Sequence, residues 1–282
     1  MTGTLAARWR AAAVALGAAA TLVPAGCEWG GRAYWLGKYD GQIAAATRAL
    51  AAADSDAARA QAHLDRGAGY SEKARYSRAF KIIPPGEYVR LYDLAIADLD
   101  LAVALAPGDT RVYLGRGMAV YNRAALESVA DPGTRKLFDD AAADFTRAVE
   151  RDPTNAEAYD MRGLVHTSGG ELDLAIRDFT EVMRIDPHLG KLRLAEAHCS
   201  RAGVLSQAGK LAAAIADYER SIEFDPPADG CDCQPDSPLV WLYLETGQLD
   251  KARDAVRRAR RAGRWVAPEV IERLGKASRG GR

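Results

Sequence analysis

The apolar positions of this chain recur in short blocks of one design. The blocks read Leu94-Ala95-Ile96-Ala97-Asp98-Leu99, Asp140-Ala141-Ala142-Ala143-Asp144-Phe145, Leu174-Ala175-Ile176-Arg177-Asp178-Phe179 and Ala213-Ala214-Ile215-Ala216-Asp217-Tyr218. Each runs on to a proline, at Ala106-Pro107, Asp152-Pro153, Asp186-Pro187 and Asp225-Pro226. Proline lacks an N–H donor and restricts the residue before it, so each block is a helix that stops there. Ahead of every block a further helix carries Arg66-Gly67, Arg116-Gly117, Arg162-Gly163 or Arg201-Ala202. The spacing predicts antiparallel helix pairs, repeated. Alanine dominates many segments and aromatics are only 7% of the chain, which favours closely packed helices over sheets. The fold class is all-α.

The stretch Ala156 to Leu189 resembles one full 34-residue unit of the tetratricopeptide repeat, with Tyr159, Gly163, Ala175, Phe179 and Pro187 at that family's signature positions. Gly163 and Ala175 let two helices approach, and the two rings fill the space beside them. Residues 195–228 resemble a second copy, with Gly209-Lys210 at the turn. Residues 60–109 and 110–155 resemble copies carrying insertions of 16 and 12 residues, and 236–263 a degenerate copy. Residues 34–54 supply a half-repeat helix with Gly37-Lys38-Tyr39-Asp40 ahead of Ile43 and Leu50, after a short linker at 28–33. The resemblance implies a solenoid of about four to five helix pairs closed by a capping helix at 267–277, with 278–282 a tail. Pro268 suits the first turn of that cap, and Val270, Ile271 and Leu274 give it one apolar stripe.

The insertions, Ala74 to Val89 and Ala124 to Arg135, both enter between the two helices of a repeat. Each is helix-compatible and broken once, at Pro84-Pro85-Gly86 or Asp131-Pro132-Gly133. Shared between two helices, sixteen residues add about 12 Å of height at 1.5 Å per residue. The expectation is a pair of tall hairpins standing side by side, with Phe80, Ile82, Ile83, Tyr88, Leu126 and Val129 packed between them. Arg75, Tyr76, Arg78 and Lys81 would stay outside as a basic and aromatic partner site.

The first 27 residues read as an address. Arg8 and Arg10 form a basic start, and Ala11 to Val23 an apolar run of signal-peptide length. Ala25-Gly26-Cys27 resembles the lipobox of bacterial lipoproteins, which implies lipidation at Cys27, although Pro24 stands where an aliphatic or small residue is usual. Val23-Pro24-Ala25 equally suits ordinary signal peptidase, and an uncleaved anchor is the third alternative. All three put the folded part on the extracytoplasmic side: a lipoprotein of the bacterial envelope, at the outer membrane if the host has one, or otherwise a periplasmic or secreted protein. Glu28 behind the cysteine fits that sorting by resemblance.

Charge and chemistry narrow the function. Lys+Arg and Asp+Glu number 38 each, and removing Arg8 and Arg10 leaves the mature chain at −2, so bulk electrostatics favour no nucleic-acid partner. No run of about 18 strongly apolar residues suggests a multi-spanning membrane protein. Cys199, Cys231 and Cys233 allow one bridge, from Cys199 to either of the other two, in a compartment where disulfides persist. With His198 they fit no standard zinc spacing. There is no nucleophile elbow and no phosphate-binding glycine loop, so no catalytic residue, metal or cofactor is expected. His166 reads as a satisfied core histidine. Arg253, Arg257, Arg260, Arg261 and Arg264 read as the charged outer face of a terminal helix.

What remains is binding. The resemblance implies a groove lined by first helices: Arg111, Leu114, Met118, Tyr121 and Asn122, then Glu157, Asp160, Leu164, Thr167 and Ser168, then Glu196, Cys199, Gly203, Ser206 and Gln207. The Lys/Asn carboxylate clamp of chaperone-binding members is absent. The expected function is a non-enzymatic protein-interaction scaffold that takes extended or helical peptide segments, anchored to the membrane by its N-terminal lipid. The alternative is a peptide- or glycan-binding accessory module of an envelope enzyme. Arg66, Arg116, Arg162 and Arg201 share one repeat position and Asp98, Asp144, Asp178 and Asp217 another. Charge-assisted pairs are expected between the two sets, within or between adjacent repeats.

Overall fold

A computed structural model describes residues 28–224, 236–261, 263 and 266–279. The address segment with Cys27, the 231–233 cysteines and Arg264 lie outside the described residues. Twelve α-helices and no strand occur among them. They are α1 Glu28–Ala52, α2 Asp56–Ala79, α3 Pro85–Leu105, α4 Thr110–Ala124, α5 Pro132–Arg151, α6 Ala156–Ser168, α7 Leu172–Ile185, α8 Pro187–Gln207, α9 Leu211–Phe224, α10 Asp236–Glu245, α11 Leu249–Arg261 and α12 Pro268–Arg279. The chain forms two compact units, one up to Pro107 and one from Gly108.

The first unit holds α1, α2 and α3. Ser55 starts α2 by accepting the Ala58 N–H, and Pro85 sits in the first turn of α3, where its missing donor costs nothing. At 24 and 21 residues, α2 and α3 are far longer than the 13 and 14 of α6 and α7. The first insertion is therefore helix height, as its composition implies. Tyr88, Leu91, Tyr92, Ala95 and Leu99 of α3 are buried, and Gly67 of α2 lets the Leu99 side chain lie where a Cβ would be. Residues 28–33, read as a linker, form the first turns of α1, and Gly37 lies within that helix. Nothing there breaks the helix, because each glycine of α1 costs less than the hydrogen bonds around it.

The second unit is a succession of hairpins, α4/α5, α6/α7, α8/α9 and α10/α11, closed by α12. Gly170, Gly209 and Gly247 adopt φ of 79°, 71° and 73°, the left-handed turn that ends a first helix without a Cβ clash. Asn155 and Asp186 cap α6 and α8 by accepting the N–H of Ala158 and Leu189. Asp186 also closes α7, so Asp-Pro both stops one helix and starts the next. For that reason α8 begins well before residue 195.

The second insertion behaves differently from the first. Asp131 accepts the Thr134 N–H and Pro132 opens α5, which runs 20 residues, while α4 keeps 15. Height is added to the second helix only, and residues 125–131 are the connection. In the capping helix Val270 and Leu274 are buried against Leu239, Tyr243 and Val256. The helix continues through Ser278 and Arg279, which had the composition of a tail.

Candidate functional site

Four of the hairpins are locked by a buried carboxylate on the second helix. The Arg66 guanidinium donates to both oxygens of Asp98 at 2.7 Å, and Arg116 does the same to Asp144. Arg162 reaches Asp178 at 2.9 and 2.6 Å, and Arg201 reaches Asp217 at 2.7 Å twice. All four pairs close within a hairpin. Three of them carry a second donor: His63 Nδ1 lies 2.9 Å from Asp98, Arg147 Nη1 3.0 Å from Asp144, and His198 Nδ1 2.9 Å from Asp217. Hydrogen bonds to the carboxylates hold the Arg66, Arg162 and Arg201 guanidiniums above their ordinary pKa. Burial alone would raise Asp217, but hydrogen bonds from Arg201 and His198 outweigh it and hold that carboxyl below the usual range. His166 is likewise satisfied, 2.6 Å from Glu171. These groups are structural, with every acid already committed.

The same locks decide which face of a first helix is left over. A Cβ on Gly117 would stand 2.9 Å from the Phe145 ring, and one on Gly163 2.5 Å from Phe179, so that side of α4 and α6 is sealed against the second helix. Leu114, Met118, Tyr121 and Asn122 follow one another at i, i+4, i+7 and i+8, on one stripe of α4, and all four are half-buried. Arg111 at the head of the stripe is exposed and bound to Asp109. The stripe continues onto α6, because the Tyr121 hydroxyl lies 3.3 Å from Ser168 Oγ. Tyr121 rests on Phe138 with ring centroids 6.0 Å apart, and Asn122 Nδ2 donates to the Met118 carbonyl, which leaves its side-chain oxygen to accept. Leu164, Thr167 and Ser168 are half-buried, and Thr167 donates to the Gly163 carbonyl. The surface is mixed and shallow, with fixed side chains.

Four expected site residues behave otherwise. Asp160 is 4% exposed and takes both Nε and Nη2 of Arg193, at 2.7 and 3.2 Å, so it is a strut between α6 and α8 rather than a contact for a partner. Burial of a lone carboxylate is costly, and Arg193 supplies the compensation. The sequence signal for Arg193 is its separation of 33 residues from Asp160, one short of a repeat. Cys199 is half-buried and disulfide-bonded, its partner lying outside the described residues. Tyr76, expected outside, is 6% exposed, because Trp35 and Tyr39 of α1 pack against it at 6.0 and 5.9 Å. Arg75 is held by Glu72 at 2.6 Å. Arg78 and Lys81 are exposed as expected. On α11, Ala252, Val256 and Ala259 are buried while Arg257, Arg260 and Arg261 face solvent, and Arg253 and Arg257 pair with Asp250 and Asp254.

Stacked helix hairpins with small residues at the crossing and a free stripe on the first helices define a repeat protein of the interaction type. Residues 156–189 and 195–227 match the tetratricopeptide repeat profile. Those two stretches are tetratricopeptide repeats, and the described residues of the chain are all-α. Solved structures similar to it include a MamA protein, 19% identical over 68% of this chain and 89% of that one, with a TM-score of 0.44. TTC0263 of Thermus thermophilus is 20% identical over 71% and 89%, at 0.40. YrrB, described as a tetratricopeptide protein with an unusual peptide-binding site, is 16% identical over 75% and 91%, at 0.42.

Proposed function

We propose that this chain is a non-enzymatic adaptor of a bacterial envelope, exported, lipid-anchored at Cys27, and binding a peptide segment of a partner protein along the α4–α6 stripe. The observation that carries the binding reading is the run Leu114, Met118, Tyr121, Asn122, Thr167 and Ser168. It offers apolar contact interleaved with hydroxyl and amide groups on a rigid support, as an extended or helical peptide requires. The Cys199 disulfide supports the export reading, since such bonds persist in oxidising compartments.

The test is photo-crosslinking in intact cells from a reactive side chain placed at Met118 or, as a control, at Arg177 on the second helix of a repeat. A discrete adduct from Met118 and none from Arg177 is expected. Substituting Tyr121→Ala and Asn122→Ala together should reduce that adduct about tenfold or more, the loss typical of central interface residues. Equal adducts from both positions would place the partner elsewhere.

A further inference from the structure

Aromatic rings in the first unit form a continuous line from α1 to the end of α2. Tyr34 meets Trp35 edge-on at 5.6 Å, Trp35 lies 6.0 Å from Tyr76, and Tyr76 lies 4.6 Å from Phe80. The inner members, Tyr39 and Tyr76, are buried. The outer ones are not: Tyr34 is 66% exposed and Trp35 37%. The early part of α1 and the C-terminus of α2 thus share one end of the unit.

Cations collect at that end. Lys38 Nζ stands 4.3 Å from the Trp35 ring, and Arg78 and Lys81 are exposed beside Phe80. The acids nearby are largely spoken for, Asp40 by Lys73 and Glu72 by Arg75, each at 2.6 Å. Asp40, paired with Lys73, and Glu87 at the start of α3 are exposed acids beside these three exposed cations. Amphipathic rings mixed with lysine and arginine are the composition of the bilayer–water boundary, where rings sit among headgroups and cations meet phosphates.

The chain leading into this end points the same way. Cys27 and the apolar run Ala11 to Val23 directly precede Glu28, where α1 opens. Tyr34 lies six positions beyond Glu28, about 9 Å along the helix at 1.5 Å per residue. A membrane-inserted group at or before Cys27 therefore brings the exposed rings within reach of the headgroup layer.

We propose that this end of the first unit is a membrane-docking edge: Tyr34 and Trp35 enter the headgroup layer of an anionic phospholipid bilayer, and Lys38, Arg78 and Lys81 meet its phosphates. The proposal rests on the envelope reading above. A lipid anchor alone leaves the folded part free to swivel, and a second contact fixes how the first unit stands on the surface.

The experiment uses the full chain reconstituted into vesicles of brominated phosphatidylcholine and phosphatidylglycerol, with the vesicle-bound fraction isolated by flotation. Emission from Trp35 is taken as the difference between the wild type and Trp35→Phe. It should fall by about half relative to unbrominated vesicles, as for a ring at headgroup depth. Reversing Lys38 and Lys81 to Glu should restore the Trp35 emission in brominated vesicles to the level the same variant shows in unbrominated ones, with its melting temperature reading the fold separately. Unquenched Trp35 in vesicle-bound protein, or quenching indifferent to charge reversal, overturns the proposal. Fatty-acid labelling of the same chain reads the anchor separately. Quenched Trp35 with unlabelled Cys27 removes the anchor and keeps the edge; labelled Cys27 with unquenched Trp35 does the reverse.

Discussion

Arg116 and Asp144 show what a single residue is asked to do here. Asp144 is 2% exposed and Arg116 leans out towards solvent, so the two are not equivalent. Removing the arginine leaves a buried carboxylate facing the exposed Arg147, at 3.0 Å, a weaker and more solvated partner. Arg116→Ala should cost about 3 kcal/mol in urea unfolding, and the double change with Asp144→Ala should cost less than that. Additive single and double costs would show that the pair is not coupled. The same deletion at Arg66→Ala should cost less, because His63 still donates to Asp98. These pairs were legible in the sequence, since one repeat position always holds Arg and another always Asp. The Asp160–Arg193 strut was not. It joins successive hairpins once, so its near-repeat spacing of 33 residues is reinforced by no other copy, and no repeated position marks the burial of Tyr76 beneath α1.

At the scale of helices, glycines separate into those that permit packing and those that do not. A Cβ on Gly190 would lie 2.1 Å from the Met183 Cα, a backbone atom that cannot move aside without separating α7 from α8. Gly190→Ala should destabilise by about 3 kcal/mol, more than Gly67→Ala, where the obstacle is chiefly the Leu99 side chain. Gly37 and Gly41 meet nothing within 4 Å in the middle of α1. Gly37→Ala and Gly41→Ala should each raise stability by about 0.5–1 kcal/mol, the gain of alanine over glycine in a helix. Thermal unfolding of the variants checks the order, and a stabilising Gly190→Ala would mean that α7 and α8 are not in contact. Helix pairing was legible from the small residues at each crossing. The early start of α8 was hidden, because Asp186-Pro187 reads as a stop from one side and as a cap from the other. The unequal second insertion was hidden for a related reason: Asp131-Pro132 starts a helix, and nothing before it continues α4.

For the whole molecule, the class of function was legible and the partner was not. A repeat advertises its scaffold through periodicity, whereas the stripe from Leu114 to Asn122 is built of residues that periodicity does not constrain. One covalent link adds to the packing. Cys199 sits on α8 in a disulfide, so reduction should lower stability by about 2–4 kcal/mol, and Cys199→Ser should reproduce the loss and abolish the response to reductant. Peptide mapping without reduction identifies the second half-cystine. An unchanged melting temperature in reductant would mean that the link closes no constraint on the unfolded chain.

The placement of the ion pairs bears on how such a chain changes over generations. Four of the buried aspartates find their arginine upstream in their own hairpin, 32, 28, 16 and 16 residues away, and only Asp160 among the described ones reaches downstream, to Arg193 of the next. Tandem duplication or loss of DNA encoding a whole hairpin therefore carries both halves of the pair together. Excising 156–189 would take Asp178 with Arg162 and Asp160 with it, leaving Arg193 to Glu196, its neighbour at 3.3 Å, and no inward-facing carboxylate stranded. Private locks let such a hairpin be gained or shed, whereas the shared Asp160–Arg193 strut ties α8/α9 to the hairpin before it, because losing Arg193 would strand a buried carboxylate.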